Sequence, residues 1–306
     1  MFLLDSNRPL IFGEVLFDIF PEGKAVLGGA PFNVAWNLKG FGLDPIFVSS
    51  IGRDAEGEKV IEQMERWGLE VTGVFKDSEY PTGSVLIEKS GDGHSFNIIS
   101  DQAYDYIDSN FIEERFANRK FSLLYHGSLI TRSQVSKHAL EKLCSSKEIP
   151  KFIDVNLREP WFDKEEVCKA VTGVAWVKMN NEELETLSGE SLPSNASLME
   201  VSEKFREKSG IENLIVTMGE EGAILSSNKG LVLQKPGKVH EIEDTVGAGD
   251  AFSSVLIMGI MNKWSQEKMM QRAVMFAAEI CGMQGATCKD HALFDKFVLD
   301  WGKLDA

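Results

Sequence analysis

Asp244-Thr245-Val246-Gly247-Ala248-Gly249-Asp250-Ala251-Phe252 joins a glycine loop, a carboxylate and the apolar start of a helix. Gly247, Ala248 and Gly249 let the backbone turn tightly, so that successive N–H groups converge ahead of a helix beginning near Asp250. Such a point attracts anions. Asp250 would repel a phosphate as a ligand, but it stands where it can take a proton from a hydroxyl attacking that phosphate. The chemistry suggested is phosphoryl transfer to an alcohol. The same residues also read as a plain strand-to-helix turn with Asp250 as its cap.

A second glycine cluster, Gly28-Gly29-Ala30-Pro31-Phe32-Asn33-Val34-Ala35, opens another helix near the opposite end of the chain. Taken in order, Gly28-Gly29-Ala-x-x-Asn33-x-Ala35 and Asp244-Thr245-x-Gly247-Ala248-Gly249-Asp250 closely resemble the two signatures of the PfkB family of carbohydrate kinases, the ribokinase-like sugar kinases. The resemblance spans nearly the whole chain, with Asp154-Val155-Asn156-Leu157-Arg158 fitting between the motifs. It implies a single ribokinase-like kinase domain over residues 1–306. Gly13-Glu14-Val15-Leu16-Phe17-Asp18-Ile19-Phe20-Pro21 is more similar to the fructokinase branch than to ribokinase.

The 306 residues suffice for one large α/β domain with a lid. A net charge of −15 argues against a nucleic-acid binder, whose affinity comes from Lys and Arg neutralising phosphates. A nucleotide needs only local help and stays compatible with an acidic chain. Cys144, Cys168, Cys281 and Cys288 form no Cys-x-x-Cys pair and the five histidines are scattered, so neither a zinc site nor a disulfide framework is expected. The cysteines read as core thiols. No apolar run approaches the ~20 residues of a membrane span, and Asp5 and Arg8 interrupt any secretory signal. A cytoplasmic protein is expected.

Short apolar runs recur at Leu10 to Phe12, Ile46 to Ile51, Leu123 to Tyr125, Phe152 to Val155, Ala175 to Met179 and Leu214 to Met218. Amphipathic segments at Glu56 to Trp67, Gln134 to Cys144 and Leu198 to Lys208 fall between such runs as crossover helices. The pattern predicts an α/β fold, a doubly wound and mainly parallel sheet with ligands at the carboxyl ends of its strands. Residues of about 15–27 and 83–100 instead alternate like strands without helices, the latter around a turn at Ser90-Gly91-Asp92-Gly93. They predict a small antiparallel sheet. The resemblance makes it a lid over the sugar and a contact for a homodimer; an edge hairpin of the main sheet is the alternative.

The resemblance also distributes roles. Asp18, Gly28, Gly29 and Asn33 would bind the sugar, the glycines allowing close approach and Asn33 offering both donor and acceptor. Asp18 on its own reads as a solvated surface residue. Arg158 would lie near the sugar or the transferred phosphate, or else form a structural salt bridge. Asn180 and Glu183 would organise the metal–phosphate region through Mg²⁺-bound water, while by spacing alone they form a helix cap and its reciprocal partner. Thr217 and Gly219 would border ATP, with Gly222 there or merely turning the chain, and Ala278 would lie on the adenine side. Asp244 would hold a monovalent cation, K⁺. ATP and Mg²⁺ follow as the implied nucleotide and metal.

The acceptor could equally be 2-keto-3-deoxygluconate, ribose, a nucleoside or a phosphorylated sugar, because Ile98 to Asp105 departs from the Ala-Asp element of fructokinases. A sugar-binding regulator on the same fold is the reading outside enzymology. Neither a Gly-x-Gly-x-x-Gly after the first strand nor a Walker Gly-x-x-x-x-Gly-Lys-Ser/Thr is present, which disfavours a Rossmann oxidoreductase and a Walker-type NTPase.

Overall fold

The computed structural model describes residues 8–90, 93–116, 119–145, 149–236, 244–283 and 285–305. Asp5, Gly91, Asp92 and Gln284 lie outside the described residues, so the centre of the expected Ser90–Gly93 turn does too.

Thirteen strands alternate with helices among the described residues. They are β1 (Pro9–Phe12), β2 (Leu16–Ile19), β3 (Ala25–Gly28), β4 (Ile46–Gly52), β5 (Val74–Asp77), β6 (Gly83–Ser90) and β7 (Gly93–Ile98), then β8 (Leu123–Gly127), β9 (Lys151–Asp154), β10 (Trp176–Asn180), β11 (Asn213–Thr217), β12 (Ala223–Ser227) and β13 (Gly230–Gln234). Nine form one sheet in the order β13-β12-β11-β10-β9-β8-β1-β4-β5. Neighbours from β11 to β5 pair in parallel, and β12 and β13 add an antiparallel edge. Each of the six apolar runs overlaps a parallel strand, and the three amphipathic segments lie within helices Ala55–Trp67, Gln134–Ser145 and Asn195–Ser209.

The runs are apolar throughout because helices cover both faces. Ile11 belongs to a core cluster on one face that includes Phe32, Val60, Val255, Phe276 and Trp301. Its neighbours Leu10 and Phe12 point the other way, onto Ile112, Ala139 and Leu143. From β1 the chain builds outward through β4 and β5, then restarts at β8 on the opposite flank. That reversal opens a crevice at the carboxyl ends of β1 and β8. None of the described helices is long and apolar enough to cross a membrane, and the four cysteines are free.

The remaining strands form a separate sheet, β3-β2-β6-β7, rather than an edge hairpin of the main one. Both of its hairpins are antiparallel, β2 with β3 and β6 with β7. Where they join, β2 and β6 pair in parallel. The sequence reading had not separated these pairings. The intervening β4, β5 and helix Ala55–Trp67 carry the chain away through the main sheet before it returns.

Candidate active site

Helix Ala248–Met261 begins at Gly247, whose φ of 82° is left-handed and suits glycine. A Cβ added there would also collide with Ala286. Gly247→Ala is therefore expected to cost more than ~1 kcal/mol of stability and to displace the loop. Denaturant unfolding together with turnover checks this, and a variant unchanged in both would mean that the loop tolerates the added methyl. The Ala248 N–H turns onto Thr245 O at 3.3 Å, shaping the turn, while Gly247 and Gly249 line a cavity of about 480 Å³.

Asp250, in the first turn of that helix, faces the other glycine motif. Its Oδ2 accepts a 2.8 Å hydrogen bond from Asn33 Nδ2, on the helix that starts beside Gly29. One bond thus ties the two motifs together across the cavity. Asp250 is half-buried and its pKa is pushed up to about 6, mainly by burial. Asn33 opposes that rise, Asp154 adds to it, and Lys178 and Arg158 oppose it. A carboxylate of this pKa is ionised at neutral pH yet basic enough to take a proton. The cap reading of Asp250 finds no support, since this helix start has no side-chain cap bond.

Beneath the loop lies a buried ion pair that the sequence reading left without a role. Lys178 Nζ, from the middle of β10, bonds both oxygens of Asp154 at 2.9 and 2.8 Å. Asp154 Oδ2 also accepts from Ser253 Oγ at 2.8 Å and from Tyr125 OH at 3.3 Å. Burial works against the Lys178 charge, but Asp154 outweighs it and holds the ammonium pKa above its usual value. A Cβ added at Gly249 would stand 3.4 Å from Lys178 Nζ, so this cation sits directly under the anion loop. The sequence shows Lys178 as a charge inside the apolar run Ala175 to Met179, and only the fold supplies its partner.

The cavity brings together Asp18, Gly29, Asn33, Arg158, Asn180, Glu183, Thr217, Gly247, Gly249 and Asp250. Gly28, Ala248, Gly219, Gly222, Asp244 and Ala278 lie outside its lining. Gly28 ends β3 opposite Leu16 of β2, and a Cβ on it would meet Asp18 Oδ2 at 3.2 Å. Asp18 itself is half-buried rather than a solvated surface residue, and burial lifts its pKa to about 6 against the pull of Arg158. Arg158 is exposed; its Nη1 donates to Leu157 O at 3.1 Å and it forms no ion pair among the described residues, so the salt-bridge reading is not met. Asn156, nearby on the same loop, holds a left-handed φ of 39°, a conformation asparagine tolerates.

Asn180 and Glu183 form the reciprocal cap foreseen from their spacing: Asn180 Oδ1 accepts from Glu183 N at 2.7 Å, and Glu183 Oε2 from Asn180 N at 2.8 Å. Glu183 Oε1 further accepts from Leu157 N at 2.7 Å, joining this helix to the Arg158 loop. Each oxygen keeps a second lone pair for a water molecule. That donor set fits a hydrated Mg²⁺ held through water, and no cluster of three or more His, Cys, Asp or Glu suited to direct coordination occurs among the described residues.

Thr217 reaches the cavity from the end of β11. Gly222 has φ 101° and its Cβ position is blocked by Gln234 O, so its place is in the turn into β12. Asp244 Oδ1 accepts from Val246 N at 2.9 Å and Oδ2 from Gly285 N at 3.2 Å, tying the glycine loop to the segment after helix Gln266–Cys281. Leu16, Val85, Phe96 and Ile98 of the small sheet line part of the cavity.

The chain matches the family model described as pfkB family carbohydrate kinase over residues 14–292. It is similar to the putative sugar kinase PH1459 of Pyrococcus horikoshii, 28% identical with 81% of each chain covered. It is also similar to a fructokinase of Escherichia coli, 25% identical over 93% of this chain and 94% of that one. The crystal structure of PH1459 in complex with ATP superposes with a TM-score of 0.75 at 25% identity, covering 91% of this chain and 93% of that one. Matched from Glu14 to Ala292, the chain belongs to the pfkB family of carbohydrate kinases.

Proposed function

We propose that this protein transfers the γ-phosphoryl group of ATP to a hydroxyl of a sugar, in the manner of a fructokinase, working in the cytoplasm. The observation that carries the reading is the 2.8 Å bond between Asn33 and Asp250, which sets a basic carboxylate between the double-glycine turn and the Gly247–Gly249 loop. Similarity to a fructokinase and to an ATP-bound sugar kinase supports the substrate pair.

Asp250 takes the proton of the attacking hydroxyl, and Asn33 holds the carboxylate in place while contacting the sugar. The Gly247 and Gly249 amides receive the transferring phosphoryl oxygens, with Lys178 supplying fixed positive charge below them. Arg158, exposed and on the cavity, adds a second cation from the side. Asn180 and Glu183 would hold hydrated Mg²⁺, which when bound supplies positive charge to the phosphate oxygens of ATP. Asp18 accepts hydrogen bonds from sugar hydroxyls. The lid excludes water that would otherwise accept the phosphoryl group.

Thr217 and Gly219 border the nucleotide, Ala278 flanks the adenine, and Asp244 with the loop it ties offers oxygens to K⁺. A homodimer through the lid would cover Leu86 and Phe96, which are 37% and 53% exposed. Coupled ADP release across ketoses, aldoses, sugar acids and nucleosides tests the whole reading. Turnover on a ketose is expected; measurable sugar binding with no ADP from any acceptor would mean a regulator instead.

A further inference from the structure

Glu14 lies between β1 and β2, in the turn that carries the chain from the main sheet to the lid. It is 3% exposed, and its Oε2 has no hydrogen-bond partner among the described residues. The sequence reading gave it no role. Its placement is rigid: Gly13 N donates to Val48 O at 3.1 Å, and a Cβ on Gly29 would come within 2.7 Å of the Glu14 carbonyl. The side chain lines the same cavity as Asp18, Asn33 and Asp250.

Arg158 and Arg132 both favour the ionised form of Glu14, but neither bonds it among the described residues. Arg132 pairs with Asp105 through Nε and Nη2, the latter 2.6 Å from Oδ2 with both side chains 5% exposed, while its Nη1 has no partner among the described residues. Arg158 is exposed and donates to the Leu157 carbonyl. Asn33 points its Nδ2 at Asp250, and its own Oδ1 also lacks a partner. Two buried polar atoms of residues lining one cavity are therefore unsatisfied among the described residues, an arrangement that costs stability unless an incoming group completes it. Burial accordingly lifts the Glu14 pKa to about 7.

On the sugar-kinase reading above, we infer that Glu14 is a substrate-binding residue whose buried carboxyl pairs with a hydroxyl of the acceptor, beside those taken by Asp18 and Asp250. A hydroxyl serves either protonation state of the carboxyl, donating to it when ionised and accepting from it when protonated. A carboxylate or phosphate at that position would face three acidic side chains. The part of the acceptor that meets Glu14 is thus neutral and hydroxylated, and any anionic substituent belongs toward Arg158.

The test compares Glu14→Gln and Glu14→Ala with wild type on the best acceptor of the panel and on its monodeoxy analogues. Glu14→Ala is expected to raise the acceptor KM and lower kcat/KM by about 10- to 100-fold, with the KM for ATP unchanged and the smaller loss in Glu14→Gln. One monodeoxy analogue should be penalised by wild type and no longer penalised by Glu14→Ala, which marks the hydroxyl that Glu14 meets. The unfolding midpoint of Glu14→Gln should hold or rise, because an unpaired buried acid has been removed. An acceptor KM within twofold of wild type, or deoxy penalties that persist unchanged in Glu14→Ala, would overturn the assignment while leaving the kinase reading intact. Absence of turnover by wild type on every acceptor would remove both.

Discussion

Asp250→Asn is expected to lower turnover by about 10²–10⁴-fold while leaving the fold and the binding of both substrates in place. The substitution is nearly isosteric, and the new amide oxygen still accepts from Asn33 Nδ2, so the tie between the two glycine motifs survives. What disappears is the group that takes the proton. Wild-type activity should also rise with pH and level off above about 6, because Asp250 must be ionised to act as a base. The part of that limb due to the base should be absent from the residual activity of Asp250→Asn, leaving what Asp18, also near 6, contributes through sugar binding. Steady-state rates from pH 5 to 8, with binding measured calorimetrically, decide the matter. Near-normal turnover in the variant would show that the proton leaves by another route.

Lys178→Met is expected to damage both stability and catalysis. Removing the ammonium leaves Asp154, 2% exposed, buried without its counter-charge, at a cost of about 3–5 kcal/mol. Catalysis loses a preorganised cation beneath the transferring phosphoryl group, worth about 10²–10³-fold in turnover. The two effects separate in a double variant. Lys178→Met with Asp154→Leu should recover much of the stability, since no lone charge remains, while activity stays low. Urea unfolding and kcat measured on the same preparations provide the check. If the double variant regained activity, the pair would be only a structural strut under the loop.

The parallel core was legible because its strands, covered on both faces, are continuously apolar: Leu10 to Phe12 and Ile46 to Ile51 announce themselves with no tertiary information. The small sheet was legible by its alternation, Val85 and Ile87 buried against Leu86 exposed. The pairing of β2 with β6 was not, because local pattern says nothing about which distant strand lies alongside. The same limit hid Glu14 and Lys178. Each is a single charged residue in an apolar stretch, and only the folded chain shows what it faces.

Asn33 and Asp250 carried visible motifs, yet their direct bond spans 217 positions and exists only once the two helix starts meet across the sheet. Asn180 and Glu183 show the opposite case. A cap is local, so spacing alone foresaw its hydrogen bonds, and the added bond from Glu183 to Leu157 N was the part supplied by tertiary structure.

The geometry of phosphoryl transfer is tested most directly by a crystal structure of the protein with a non-hydrolysable ATP analogue and its acceptor sugar. The account predicts an Asp250 carboxylate oxygen about 2.6–3.2 Å from one sugar hydroxyl, that hydroxyl in line with the γ-phosphorus, and the γ-phosphate oxygens on the Gly247 and Gly249 amides. A γ-phosphate bound away from that loop, or an Asp250 carboxylate beyond hydrogen-bond reach of every sugar hydroxyl, would contradict it.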